Sequence, residues 1–242
     1  MVYRYPRSGA GILRYSFGRR DSVVATMPSG EEQVQVLART AYLTLTWSAA
    51  DTGTRITTTI DSVVADSGIT VPMAVLDSAR GTRWTGLRPP AGGLTGLTGT
   101  HTSLFGDQVR DQLILLFPRL PSDGVRPGAH WNDSTEAPAR VSVFEATESS
   151  VTSGDAGEPL PSGALPIQVT AARSAAGEST QFGQAVTIKA TGSDTLTYQL
   201  ANDGRVLQGA GRRWTSLVVD LSAIGQSVPA REFSTVSMTL LH

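Results

Sequence analysis

The chain has 242 residues, a formal net charge of −1 and only 17% charged residues, so its composition gives no electrostatic basis for non-specific nucleic-acid binding. Apolar residues reach 40% and alternate regularly, which excludes intrinsic disorder, and the absence of cysteine excludes disulfide scaffolds, thiolate metal sites and cysteine nucleophiles. No apolar run approaches the roughly 18 residues of a membrane-crossing helix, so no transmembrane span is expected.

In chain order, Leu13–Phe17 reads as an edge strand. Gln33–Leu37 and Tyr42–Trp47 alternate apolar with Gln or Thr, the signature of half-buried strands. Asp51-Thr52-Gly53 supplies a turn, and Thr54–Val64 resumes the alternation, so residues 43–64 form a hairpin. A helix is predicted over 69–80, with Pro72 in its first turn and Gly81 just past its end. Residues 88–99, rich in Gly and Pro, read as a loop. A second helix is predicted over 107–117, where Val109, Leu113, Leu116 and Phe117 share one face and Pro118 stops it.

Ala139–Phe144 alternates like a strand, and Ser149–Pro166 is rich in Ser, Gly and Pro and reads as a linker. Beyond it come strands at 166–170, 186–190, 195–200, 205–207, 214–221 and 233–241, with Asn202-Asp203-Gly204 as a tight hairpin turn. The expected fold is mainly β: two antiparallel meander or sandwich-like lobes, with two short α-helices in the N-terminal one. The expected division is 1–150, a 151–166 linker, and a 167–242 meander.

Asp51-Thr52-Gly53 and Asp66-Ser67-Gly68 match the aspartic-protease triplet, but that chemistry needs paired carboxylates about 3 Å apart. These triplets stand at successive ends of one strand and read as turns. The histidines are His101, His130 and His242; no Gly-x-Ser-x-Gly elbow accompanies them, and a hydrolase using His101 or His130 is an alternative reading. Neither metal-ligand spacing nor a glycine-rich phosphate cradle is present, so no catalytic residue, metal or cofactor is assigned. The individual segment is Leu116-Phe-Pro-Arg-Leu-Pro followed by Pro127-Gly-Ala-His-Trp131. It makes Phe117, Arg119, Leu120, His130 and Trp131 candidate partner contacts; the competing reading has Phe117, Leu120 and Trp131 plugging the core. Trp47, Trp84 and Trp214 are expected in core or rim packing.

Leu13-Arg-Tyr-Ser-Phe, Arg39-Thr-Ala-Tyr-Leu-Thr-Leu-Thr, Ile60-Asp-Ser-Val, Leu116-Phe-Pro-Arg-Leu-Pro, Pro127-Gly-Ala-His-Trp and Tyr198-Gln-Leu with Asp203-Gly-Arg-Val-Leu resemble a class of uncharacterised bacterial envelope proteins, often lipoproteins. The resemblance implies export and a non-enzymatic role, although no lipobox cysteine is present. Ser/Thr/Gly-rich strands with Lys189 as the only lysine agree with a periplasmic or envelope location; an N-terminus without an apolar leader favours the cytoplasm as the alternative. The expected function is a non-enzymatic accessory or scaffold subunit docking on a larger envelope or membrane complex, such as an electron-transfer or photosynthetic assembly. Its expected partners are envelope proteins, with peripheral membrane association. The other alternative is a periplasmic binding module for a lipid or other apolar ligand, which requires a cavity of a few hundred Å³.

Overall fold

The computed structural model describes residues 1–5, 9–27, 29–66, 72–100, 103–141, 144–181, 184–221 and 225–241. The chain is mainly β, as its alternation predicts. Eleven strands form one antiparallel sheet in the order β5-β4-β3-β2-β1-β11-β10-β9-β8-β7-β6. The first meander comprises β1 (Gly11–Thr26), β2 (Glu32–Ala50), β3 (Gly53–Ala65), β4 (Arg83–Arg88) and β5 (Thr95–Thr100). The second comprises β6 (His130–Val141), β7 (Phe144–Ala156), β8 (Leu165–Gln181), β9 (Gln184–Leu200), β10 (Val206–Leu221) and β11 (Gln226–Leu241). The two are fused in mid-sheet, where β1 pairs with β11 from Arg14↔Leu241 to Ala25↔Ala230.

Several expectations change accordingly. The sheet is continuous, rather than divided between two lobes. Leu13–Phe17 is no edge: it lies in β1, flanked by β2 and β11. Residues 149–156 of the expected linker are strand, and residues 157–164 merely join β7 to β8 inside the second meander. Small and hydroxylated residues there satisfy the ladder through their backbones, so composition misread a strand as a linker. The meanders divide instead between β5 and β6. Residues 95–99, expected in a loop, belong to the short edge strand β5; of the strand expected over 139–144, residues 139–141 end β6, Phe144 begins β7, and 142–143 lie outside the described residues.

The hairpin over 43–64 is present as β2–β3, and Gly204 (φ 76°) turns the chain between β9 and β10. A Cβ at Gly204 would stand 2.6 Å from the backbone of Arg4 and Tyr5, so both conformation and space demand glycine. The first helix, α1, is shorter than predicted, Met73–Asp77; residues 67–71 lie outside the described ones. The Ser78 hydroxyl donates to the Val75 carbonyl, where local turns take over. The second helix, α2, starts earlier than predicted, at Leu104, because Ser103 caps it by accepting from the Gly106 N–H at 3.0 Å. It runs to Leu113 and tightens into a 3-10 turn at Ile114–Leu116 before Pro118.

One sheet face, the inner face, carries the main core. Tyr15, Phe17, Leu43, Leu196, Tyr198 and Met238 are buried there with Val109, Leu113 and Leu116 from below. Trp84 of β4 and Trp131 of β6 belong to the same cluster although they come from opposite ends of the strand order. The sheet therefore curls around a shared core. A second, smaller cluster lies further along the long strands, around Val186, Ile188, Ala190 and Leu217.

Between the two apolar clusters runs a belt of charge on the same inner face. Asp21, Ser234, Arg213 and Asp194 stand directly opposite one another across β1, β11, β10 and β9. Asp21 takes Arg19, Arg39 and the Ser234 hydroxyl, and Arg19 also reaches Glu232 at 2.8 Å. Asp194 takes Arg173 at 3.0 Å and Arg213 at 3.2 Å, and Arg173 continues to Glu148 at 3.1 Å. Burial lowers the Arg213 pKa, but the opposing charge of Asp194 and the hydrogen bond to it leave the net shift upward. Cutting such a buried network strands its partners. An Asp194→Ala variant is expected to lose about 3–5 kcal/mol of unfolding free energy, read from its denaturant midpoint at unchanged slope, because two guanidiniums lose their carboxylate.

Candidate functional site

The segment singled out by sequence, Leu116–Trp131, is where the curled sheet is sealed. Gly93 donates its N–H to the Phe117 carbonyl at 2.9 Å, and Leu120 donates to Ala91 at 2.7 Å, tying the segment to the β4–β5 connection. On its other side, Trp131 Nε1 donates to the Arg119 carbonyl at 3.1 Å, tying it to β6. The Tyr5 hydroxyl donates to Pro118, and Tyr3 bridges to Val125 in both directions at 2.8 Å. Residues 117–125 thus link the β4–β5 connection to β6.

Five residues were expected as partner contacts, and they separate cleanly. Phe117, Leu120 and Trp131 are buried in the main core, as the competing reading had it, and present no outward surface. Arg119 and His130 are exposed. Arg119 is ion-paired to Asp133, and His130 Nδ1 lies 2.8 Å from Asp155 Oδ1 across the β6–β7 pair. Trp131 lies flat over Gly154 of β7, where any Cβ would come within 2.1 Å of the indole. Gly154 is extended and makes room for the ring, which closes the edge strand against its neighbour.

The His130–Asp155 pair has the orientation of a base and its anchor, yet among the described residues no hydroxyl hydrogen-bonds its Nε2. A triad needs that third contact. Asp155 also borders a groove of about 570 Å³ whose lining mixes Pro166, Ile167 and Tyr198 with Gln168, Thr197 and Gln208. His101 and His242 lie outside the described residues. The Asp51 triplet lies in the β2–β3 turn, and Asp66 follows β3, so the two carboxylates stand at opposite ends of that strand. Ser67 and Gly68 are outside the described residues.

Inside the main core, Arg88 is buried with its guanidinium carbon 4.5 Å above the Tyr5 ring and 5.9 Å from that of Phe117. It donates to the Thr54 hydroxyl at 3.1 Å. The cavity beside it, walled by Leu13, Leu45, Ile56 and Leu116, measures about 30 Å³, the size of one water. Burial pushes the Tyr5, Tyr15 and Tyr198 phenols above their ordinary value of 10.0.

Sequence reading missed the outer face of the central strands. Trp214, expected in core or rim packing, is 43% exposed and stands directly opposite Phe233, 44% exposed, across β10 and β11. The same row continues through Ser22 to Val36, and Val24 and Val34 pair in the next row. The alternation at 33–37 and 214–221 was visible, but which outward residues meet depends on β1–β11 pairings between residues more than 200 positions apart.

Two measurements check this description. A Gly154→Val variant is expected to lose about 1–3 kcal/mol of stability from overpacking against Trp131, with tryptophan emission shifted to the red; unchanged stability would refute the packing. For the phenols, a folded pKa above the unfolded one favours folding while the group is protonated. That contribution is complete below pH 10.0 and is lost as pH rises through the folded values. Tyrosinate absorbance from these three residues should therefore appear only with alkaline unfolding, and Tyr198→Phe should move that unfolding to higher pH.

No protein-family model matches this sequence, and no curated protein matches it. Among solved structures, DynF from the dynemicin biosynthesis pathway of Micromonospora chersina aligns over 99% of this chain and 84% of its own length, at 9% identity and a TM-score of 0.28. That level of likeness carries no inference about fold or function.

Proposed function

We propose that this protein is a non-enzymatic docking subunit of the cell envelope, a β-sheet platform that seats on a larger extracytoplasmic membrane assembly. The observation that supports it is the outward apolar group in mid-sheet: Trp214 and Phe233 stand opposite each other on β10 and β11, and across β1, beyond Ser22 and Val24, Val36 and Val34 face outward on β2. Large apolar groups contiguous on an exposed face mark an interaction surface more strongly than the same groups scattered singly. Trp in particular supplies much contact area with a polar N–H at its tip. The fold supports a platform role, because long paired strands hold these side chains at fixed spacing.

Between the sheet and the helical segment, where the apolar-ligand reading puts its ligand, the cavity beside Arg88 is about 30 Å³, roughly a tenth of what a small lipid occupies; that reading is left with the groove of about 570 Å³ beside Asp155. The hydrolase reading rests on the exposed His130–Asp155 pair alone.

Native membranes of the source cell provide the test. Tagged full-length protein is expected to remain with the membrane fraction and to migrate in native electrophoresis with a larger assembly, while a Trp214→Ser/Phe233→Ser variant is released as monomer. Wild-type protein found only as free monomer would refute the docking role.

A further inference from the structure

Resting on the reading of this face as the docking surface at the membrane, we infer that the outer face of β1, β2, β10 and β11 meets the anionic lipid that surrounds the assembly. Charge is the first argument. Around the Trp214–Phe233 pair, Arg20 and Arg212 occupy the adjoining row, each opposite Thr235, and Arg231 occupies the row on the other side, opposite Val24. Lys189 lies one row further, opposite Val218. All four cations are exposed. Against them this face of the same strands presents Glu32, paired with Arg231, and Asp220, hydrogen-bonded to Ser227 at its far end. The face is cationic in a chain whose net charge is −1, whereas the arginines of the inner belt are spent on Asp21, Glu232, Asp194 and Glu148.

Shape and chemistry choose among anionic partners. The strip lies in mid-sheet, where each strand is already paired on both sides, so an acidic peptide has no free strand edge to extend. Val34 and Val36 continue the aromatic pair; branched aliphatics add nothing to base stacking but partition favourably into the headgroup boundary of a bilayer. A second copy docked face to face would bring the Arg20 and Arg212 row against its own like charge. An extended face with Trp and Phe at its centre and Arg and Lys around them matches a membrane surface. The rings enter at headgroup level, and the guanidiniums pair with lipid phosphates.

The test uses purified full-length protein and protein-free vesicles, of phosphatidylcholine alone and of phosphatidylcholine with phosphatidylglycerol, in a sedimentation assay. Binding is expected only to the anionic vesicles, weakening with added salt. Arg20→Gln/Arg212→Gln and Trp214→Ser/Phe233→Ser are each expected to lower the partition coefficient at least about tenfold. Circular dichroism and denaturant midpoints of the variants verify that these outward changes leave the fold intact. Equal binding to neutral vesicles, no vesicle binding, or unaffected binding by the folded variants overturns the inference. So does a concentration-dependent dimer abolished by Trp214→Ser. Retention on native membranes without binding to protein-free vesicles would overturn the lipid assignment while the docking role stands.

Discussion

The pairing of β1 with β11 is the constraint on which the rest of this molecule depends. It joins Arg14–Ala25 to Ala230–Leu241 over twelve successive residue pairs and turns two meanders into one sheet. Without it, β1 and β11 would both be exposed edges, with unpaired backbone groups along their length. Closing so long a loop costs chain entropy that grows only slowly with length, but the cost comes before any long-range contact rewards it. The reward is large. Phe17 meets Met238, Asp21 meets Ser234, and the outer row gains Phe233 beside Ser22. Core, charge belt and outward strip all cross this one junction.

The belt shows why the junction has a single register. Moving any strand by one residue transfers its inner side chains to the outside. Here such a slip would carry Asp21 or Asp194 away from its arginines and place apolar neighbours among unpaired guanidiniums. Buried ion pairs often add little net stability over an apolar core, because desolvation offsets much of the attraction. Their effect on this sheet is on alternatives: mispaired registers leave buried charge uncompensated. The apolar clusters on either side supply the burial, and the belt between them selects the alignment.

The curled sheet still ends in two edge strands, β5 and β6. Residues 117–125 link the β4–β5 connection to β6 through their backbone groups, and Trp131 laid over Gly154 finishes the edge. The most distinctive motif in the sequence is thus structural. Apart from Arg119 and His130, its side chains are consumed by the fold, and the surface available for interaction lies elsewhere, on strands whose sequences look ordinary.

Much of the architecture was legible from sequence alone. Period-two alternation identified β1–β3 and β8–β11 but not β4, β5 or most of β6 and β7; Asn202-Asp203-Gly204 and Asp51-Thr52-Gly53 identified turns, and the buried Val109, Leu113, Leu116 and Phe117 followed from their helical spacing, although the last two lie past the end of α2. These are local signals, carried by side-chain periodicity and by glycine conformations that neighbouring residues determine. What the sequence did not reveal was which strands meet. Leu13–Phe17 read as an edge and is central; Ser149–Ala156 read as a linker and is a strand; Trp214 read as packing and faces outward beside Phe233. Strand partners are chosen by long-range register, which no local pattern records. The fold class was therefore determined by the sequence pattern. The single sheet, the sealed seam and the cationic aromatic face were decided by tertiary pairing, because only there do residues more than 200 positions apart become neighbours.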